Sequence, residues 1–497
     1  MMAQAAYWLP LWVVMVSAVA GVVIFLAGEH RPILRTTLNL AAAVAKVVLV
    51  GMLGLMVLDG YTPEFTLALL PGLDFKLRAD ALSMLFVSLS AVLWLVTTIY
   101  AVAYLERGSD RARFFGFFSL CVTATMGIAM AGNLLTFFIF FELLTLTTWP
   151  LVIHSGKSDA FAGGRTYLAH TLGGSVFLLV GIIWLYQLTG NQDFIAGGYL
   201  SDLGIDQYTS LRVVFWLLVI GFGVKAALFP LHAWLPRAMV APAPVSALLH
   251  AVAVVKAGAF GIVRLVEDIY GFELVQALGL DLPLLLIASF TIVYGSVLAL
   301  LQNDIKRRLA YSTVSQVSYI ALGVAIGGPI AAIGGMVHLV HQGLMKITLF
   351  FCAGIFANLL GVKSVEQLDG IGRRLPWTSL CFTVAALGMI GLPPIAGFIS
   401  KWYLGVGAVE AGRDWVILVL LASTLLNAAY FLPLLKRMWL HKRPREWPNE
   451  VVPSRLEVSG LVGATVVTAA LALAAGLFAG HPLSPLSWVT NIAEGYF

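Results

Sequence analysis

The sequence predicts an all-α, polytopic membrane protein of about fourteen spans, and three observations predict it. Hydrophobic residues make up 60% of the chain and charged residues only 11%, whereas soluble chains carry roughly 25% charged residues. Apolar runs of about 20 residues, the length that crosses a hydrocarbon core, recur from end to end, and the mean hydropathy is +0.93. The 30 Lys and Arg residues also sort by side. One set of alternate loops, from Arg31 and Arg107 through Lys306 to Arg455, holds 20 of them; the other holds only Lys76, Arg78, Arg212, Arg264 and Arg413. Such a bias places both termini on the non-cytoplasmic side of a cell inner (plasma) membrane. The same rule accounts for the net charge of +5 without invoking nucleic acid.

Taken in order, the spans fall at 7–27, 37–57, 81–103, 114–131, 134–153, 166–188, 211–229, 243–264, 283–301, 309–326, 329–356, 377–395, 414–435 and 458–480. Each is read as helical, because a backbone in lipid must satisfy its hydrogen bonds within its own segment. No basic residue precedes the first run, so Tyr7 to Leu26 is read as a retained helix and not a cleaved leader. Segment 58–80 ends in Phe75-Lys76-Leu77-Arg78-Ala79-Asp80, whose alternation predicts a short hairpin. The longest loop, about 190–210, carries Asp193, Asp202 and Asp206 on the non-cytoplasmic side. Residues 396–409 extend the twelfth span past a break at Pro393-Pro394, and Leu435 through Arg445 forms a basic loop at the cytoplasmic membrane edge. Connections this short pack the helices as one bundle.

The five remaining basic residues, Lys46, Lys225, Lys256, Lys346 and Lys401, lie within spans. Pro230 follows Lys225 in an apolar run, and Pro236, Pro242 and Pro244 punctuate the turn into the next run. Proline removes a backbone donor and breaks a helix, freeing carbonyls that can hydrate or coordinate a cation. Pro393-Pro394 with Lys401 makes a second interrupted segment. Broken helices in two halves, each beside an ionisable group, point to a transporter site.

Glu142 lies near the centre of the fifth span with no basic neighbour in sequence. A lone charge there costs roughly 2.5–3.5 kcal/mol on insertion scales, so it should face the bundle and find a partner on another helix. Lys225 is the natural candidate, either as a proton-exchanging pair or as a fixed bridge that locks two helices. His250 and Lys256 point about 120° apart on an ideal helix and need not share a face. His338, His341 and Lys346 fall within an arc of about 140°. Two histidines and a lysine on one side suit a hydrated relay, since histidine titrates near neutral pH. Haem is the competing reading, with His250 and His338 or His341 as axial ligands across helices, but lysines would sit awkwardly beside a metal. Ser312, Thr313, Ser315, Gln316 and Ser318 give the tenth span a polar face for water or for neighbouring helices. Lys46 reads as a snorkelling or partner-facing side chain. Cys121, Cys352 and Cys381 are isolated, without the paired spacing of a disulfide framework, iron–sulfur cluster or structural zinc.

KAALFPLHAWLPRAMVAPAPVSALLHA (225–251), NDIKRRLAYSTVSQVSYI (303–320), HLVHQGLMKITLFFCAG (338–354) and GLPPIAGFISKW (391–402) together resemble the antiporter-like subunits shared by respiratory complex I and Mrp-type Na+/H+ antiporters. The resemblance covers roughly residues 70–440, and FISKWYLGVGAVEAG with LLNAAYFLPLLKRMW is most similar to the D-type members. It implies fourteen helices in which spans 4–8 and 9–13 are inverted repeats and spans 7 and 12 are broken. On that plan residues 1–113 hold helices 1–3, 114–264 the first repeat, 283–440 the second, and 458–497 the last helix. It also implies a central hydrophilic axis through Glu142, Lys225, Lys256, the histidine–lysine group of span 11 and Lys401, where some complex I relatives carry glutamate. Arg237 stands where an acidic residue usually follows the WLP motif, which bears on the cytoplasmic entrance only.

The expected function is a proton-translocating subunit of a multisubunit monovalent cation/proton antiporter, with no cofactor or metal of its own and no enzymatic step. Its partners would be A- and C-type subunits, protons, Na+ or another monovalent cation, and the lipid bilayer. The alternatives are a pump subunit of a complex I-like, membrane hydrogenase or bicarbonate-uptake complex, and, from another class, a haem-binding membrane oxidoreductase.

Overall fold

Long apolar runs in lipid leave the backbone little choice but helix, and the computed structural model is helical almost throughout. It describes residues 2–106, 108–201 and 203–496; Arg107 and Asp202 lie outside the described residues. The helices are α1 (Met2–Ala27), α2 (Pro32–Leu58), α3 (Ala81–Tyr104), α4 (Arg111–Ala129), α5 (Leu134–Val152), α6 (Ser158–Thr189), α7 (Tyr208–Ala226), α8 (Trp234–Arg237), α9 (Ala243–Ala251) and α10 (Val254–Arg264). They continue as α11 (Phe272–Ala277), α12 (Asp281–Leu300), α13 (Ile305–Ile326), α14 (Pro329–Leu360), α15 (Ile371–Arg374), α16 (Pro376–Ile390), α17 (Ala396–Glu410), α18 (Trp415–Leu440), α19 (Arg455–Leu477) and α20 (Pro485–Glu494). Among the described residues thirteen stretches are long and apolar enough to cross a membrane, and α16 with α17 completes a fourteenth.

Three elements differ from expectation. The hairpin is longer than the alternating tail, pairing β1 (Glu64–Leu70) with β2 (Leu73–Arg78), and Asp80 lies beyond it. Asp80 instead caps α3, accepting the Ser83 N–H at 2.7 Å. Burial alone would raise its carboxyl, but the Arg264 guanidinium beside it at 2.8 Å prevails and holds it below the usual carboxylate range. The eighth span is not one helix: α9 stops at Val252 and α10 starts after Ala253, followed by a π-helical turn over Leu265–Tyr270. Finally, a short helix, α20, follows α19 and anchors through Trp488, whose indole N–H donates to the Ala81 carbonyl at 2.8 Å.

Burial separates the helices into an interior and a rim. The stretches Ala243–Tyr270, Ile305–Ile326 and Pro329–Leu360 are 100%, 94% and 89% buried over their most apolar windows, against 28% for Pro32–Leu58 and 33% for Trp415–Leu440. The interior helices are thus α9, α10, α13 and α14, and two of them carry Lys256 and Lys346. The rim is apolar toward lipid. Of the basic residues on the sparsely charged side, four are neutralised: Lys76 by Asp193 at 2.5 Å, Arg78 by Glu64 at 2.6 Å, Arg264 by Asp80 and Asp268, and Arg413 by Asp281. Lys46 corrects its sequence reading: it neither snorkels nor faces outward but is fully buried.

At Gly258 the interior helix meets α7 backbone to backbone. A Cβ there would lie 2.2 Å from the Ala226 amide nitrogen and 2.5 Å from the Phe222 carbonyl oxygen. Neither atom can swing aside, so the helices must part. Gly258→Ala is expected to destabilise the protein by about 1–3 kcal/mol, as overpacking does. Thermal unfolding of the purified complex checks this; an unchanged midpoint would refute the contact.

Candidate functional site

Proline decides where the seventh span breaks. Pro230 cannot donate to a helix ladder, and α7 ends four residues earlier at Ala226, followed by Ala227 in the left-handed conformation (φ 57°). Just before it stands Lys225, fully buried. Its amine donates to the Phe141 carbonyl of α5 and lies 3.4 Å from the centre of the Phe141 ring. The neighbouring residue on α5 is Glu142, within electrostatic reach of Lys225. The expected direct ion pair is not formed among the described residues; the Glu142 carboxylate is half-buried and accepts the Ser175 hydroxyl of α6. A hydroxyl is a sufficient partner, so the carboxylate did not have to reach the amine. Of the carbonyls freed by the break, Val224 accepts the Trp234 indole N–H at 2.7 Å.

The eighth span places its two polar groups on separate helices. His250 on α9 is fully buried and stacks on Phe350 of α14, with ring centres 4.5 Å apart. Lys256 follows the α9/α10 break. It is fully buried, and its amine has no hydrogen-bond partner among the described residues. The titratable groups within electrostatic reach of one another across this space are Lys256, His338, His341 and Lys346, with His250 near Lys346 and Lys401 near His338. His338 Nδ1 lies 2.8 Å from Ser400 Oγ on α17, while the His341 ring faces the Ala396 backbone. Gln316 and Gln342 add further buried polar atoms that have no hydrogen-bond partner among the described residues. Lys225 turns toward α5 and Lys256 toward α14, although Gly258 brings their helices into backbone contact.

A continuous set of hydrogen bonds joins the lysines of the second half. The Lys346 amine donates to Ser312 Oγ at 2.6 Å and to the Leu309 carbonyl at 3.1 Å. Ser312 Oγ is 2.8 Å from the Tyr430 hydroxyl, which is 2.5 Å from Asn427 Oδ1. Asn427 Nδ2 donates to the Met389 carbonyl at 3.0 Å. Met389 and Ile390 are the last residues of α16 before the Pro393-Pro394 break. Both their carbonyls face the Lys401 amine, at 3.5 and 2.7 Å, and Thr424 Oγ1 accepts at 3.0 Å. Here the freed carbonyls hold the lysine itself.

All eight residues expected to move protons therefore lie inside the bundle or turn their polar ends into it. Ser175, Ser400, Asn427 and Tyr430 were not singled out. For the last two a signal was present, a pair of hydrogen-bonding side chains three apart in the apolar run Leu425 to Leu435. Ser175 gave none, because one serine in a transmembrane helix looks like any other.

Comparison with known proteins bears on the family and the fold. The sequence profile described as NADH:quinone oxidoreductase/Mrp antiporter, transmembrane, matches residues 131–427. The chain is 36% identical over 383 residues to NADH-quinone oxidoreductase subunit N of Desulforudis audaxviator (strain MP104C), covering 76% of this chain and 75% of that protein. It is 30% identical over 385 residues to hydrogenase-4 component B of Escherichia coli (strain K12), covering 74% of this chain but only 56% of that longer protein. Its fold matches a chain in the structure of the Mrp complex from Dietzia sp. DQ12-45-1b with a TM-score of 0.86, covering 100% of this chain and 98% of that one. The sequence identity there is 24%, so the likeness is one of fold.

Proposed function

The chain belongs to the NADH:quinone oxidoreductase/Mrp antiporter transmembrane family, and from that premise we propose that it is the proton-translocating, D-type subunit of a multisubunit monovalent cation/proton antiporter. The observation that carries the reading is Lys256, an amine buried among His338, His341 and Lys346. Intramembrane charges that are expensive to keep are, as a rule, functional. Water between these groups would satisfy the Lys256 amine and carry the proton from one group to the next. Protons pass between Lys225, Lys256, Lys346 and Lys401, with His250, His338 and His341 beside the path. Glu142 sets the charge balance at Lys225, so that a change at one end biases the next lysine. The basic residues crowd on the cytoplasmic side in this reading, with both termini opposite, and any redox chemistry belongs to partner chains.

Glu142→Ala and Lys225→Ala are each expected to abolish cation-driven proton movement in everted vesicles while the complex still assembles on native gels. Normal transport in either variant overturns the assigned roles. One observation favours a second reading: the relative from Desulforudis audaxviator is named as a subunit of an NADH-quinone oxidoreductase, which fits a redox-driven pump of the same design. The co-purifying subunits decide between the two, and a visible absorption spectrum tests the haem reading.

A further inference from the structure

One buried amine stands apart from this axis. α2 is mostly exposed but hides a stripe made of Arg35, Asn39, Ala42, Ala43, Lys46, Val50 and Leu53. The Lys46 amine donates to Ser17 Oγ of α1 and lies 4.8 Å from the centre of the Trp94 ring of α3. Among the described residues no carboxylate forms an ion pair with it. Ser17 Oγ is 2.8 Å from Thr123 Oγ1 of α4, and Thr123 donates to the Ser119 carbonyl at 3.0 Å. Ser119 Oγ donates to Asn39 Oδ1 at 3.2 Å. One turn nearer the membrane face, Arg35 pairs with Glu29 at 3.1 Å, and Glu29 also accepts the Ala112 N–H.

These contacts have a direction. Thr123 spends its single hydroxyl hydrogen on the Ser119 carbonyl, so Ser17 accepts from Lys46 and gives its own hydrogen to Thr123 Oγ1 or to the Val14 carbonyl at 3.3 Å. Loss of the proton from Lys46 lets Ser17 turn and donate to the free amine. Arg35 and Lys46 are eleven residues apart, about 16 Å of helix. Beyond Lys46 the hidden stripe is Val50 and Leu53, both apolar and buried. Polar groups thus run from one membrane face to mid-bilayer and stop, and between the Arg35 pair and the Lys46 cluster Arg35 Nε and Asn39 Nδ2 have no partner among the described residues and are free to hold water. A lysine kept only for packing would be replaced to advantage by an apolar residue of the same length, since desolvating the ammonium is costly.

We propose that Lys46 is a second, one-sided proton-exchange site, charged and discharged from the face that carries Glu29 and Arg35 by water admitted along the polar stripe of Asn39, Ser119, Thr123 and Ser17, side chains that hold and orient the water and do not themselves pass the proton on. In each exchange an O–H bond of a hydronium ion breaks as the new N–H bond forms on Lys46, and water is left. The transport arm of the test rests on the proton-translocating reading; the labelling arm does not.

The intact complex, with Cys121, Cys352 and Cys381 changed to alanine, is prepared in sealed vesicles of both orientations. Asn39→Cys, which leaves Lys46 in place, and Lys46→Cys are treated with Ag+. Thiol loss is expected to be about tenfold faster from the Glu29 face, and equal rates from both faces overturn the site. Lys46→Met and Lys46→Arg are each expected to lower cation-driven proton movement by about tenfold or more, the lower part of the range for a positioned proton-transfer group, with assembly unchanged. Arginine keeps the charge but does not release its proton, so a wild-type rate in Lys46→Arg also overturns the proposal. One-sided labelling in a complex whose wild type moves no protons retains the site and refutes the antiport reading.

Discussion

Lys256→Met is expected to lower cation-driven proton movement by about 10²–10⁴-fold, the contribution of a positioned acid–base group. Among the described residues no other amine shares electrostatic contact with His338, His341 and Lys346 together, so none of them can take over its proton. Methionine matches lysine closely in length and leaves no cavity, and it removes an ammonium that has no hydrogen-bond partner among the described residues. The variant should therefore fold at least as well as the wild type. Lys256→Arg separates charge from proton exchange, because the guanidinium stays protonated at any working pH. If the position only supplies a fixed positive charge, arginine restores transport; if it hands protons on, arginine is as inactive as methionine. Proton uptake by a pH-sensitive dye in everted vesicles, normalised to assembled complex, measures both. Activity within a few-fold of wild type in Lys256→Met removes the central member of the proposed axis.

How much of this was legible before the fold was known follows from which energies are local. A charge in an apolar run is visible in one dimension, because its cost in lipid does not depend on what packs against it. Glu142, Lys225, Lys256, Lys346 and Lys401 were found on that ground, and proline marked the two breaks beside them. The partners were not legible, since they depend on which helices meet. Lys225 is the natural partner for Glu142 in the sequence, and the carboxylate does lie within electrostatic reach of it, but its hydrogen bond goes to Ser175, which nothing in the sequence marks. Nor does anything local mark the break at Val252-Ala253, where the run AVAVVK holds neither glycine nor proline; the interruption belongs to the interior packing of α9 and α10. Lys46 was misjudged for a related reason. Arg35, Asn39 and Lys46 do share one face of α2, but only the positions of α1, α3 and α4 turn that face into a buried one.

Tyr430→Phe removes a single oxygen from the chain between Lys346 and Lys401, and a drop in turnover of about tenfold is expected, the equivalent of roughly 1.4 kcal/mol. The phenol has one hydrogen. When it donates to Asn427 Oδ1, Ser312 must donate to it and can only accept from Lys346, so the whole chain is aligned by the protonated amine. Deprotonating Lys346 frees Ser312 to turn toward the amine and Tyr430 to turn toward Ser312. Asn427 then loses its donor and shifts at the Met389 carbonyl, the acceptor it shares with Lys401. The amide of Asn427 does not relay protons itself, so the link carries orientation and not the proton. Phenylalanine fills the same space but leaves Ser312 and Asn427 each short of a partner, which costs about 1–3 kcal/mol in a buried site. Asn427→Leu cuts the same link one residue on, and the double variant should be no slower than the worse single one, because members of one network are not additive. Tyr319→Phe is the control, since the Tyr319 hydroxyl is equally buried but faces Ser423, outside the hydrogen-bond chain from Lys346 to Lys401. Its turnover is expected to stay near wild type. Turnover at saturating cation decides the matter: equal rates for Tyr430→Phe and wild type would mean that Lys346 and Lys401 act without this bridge, through water alone.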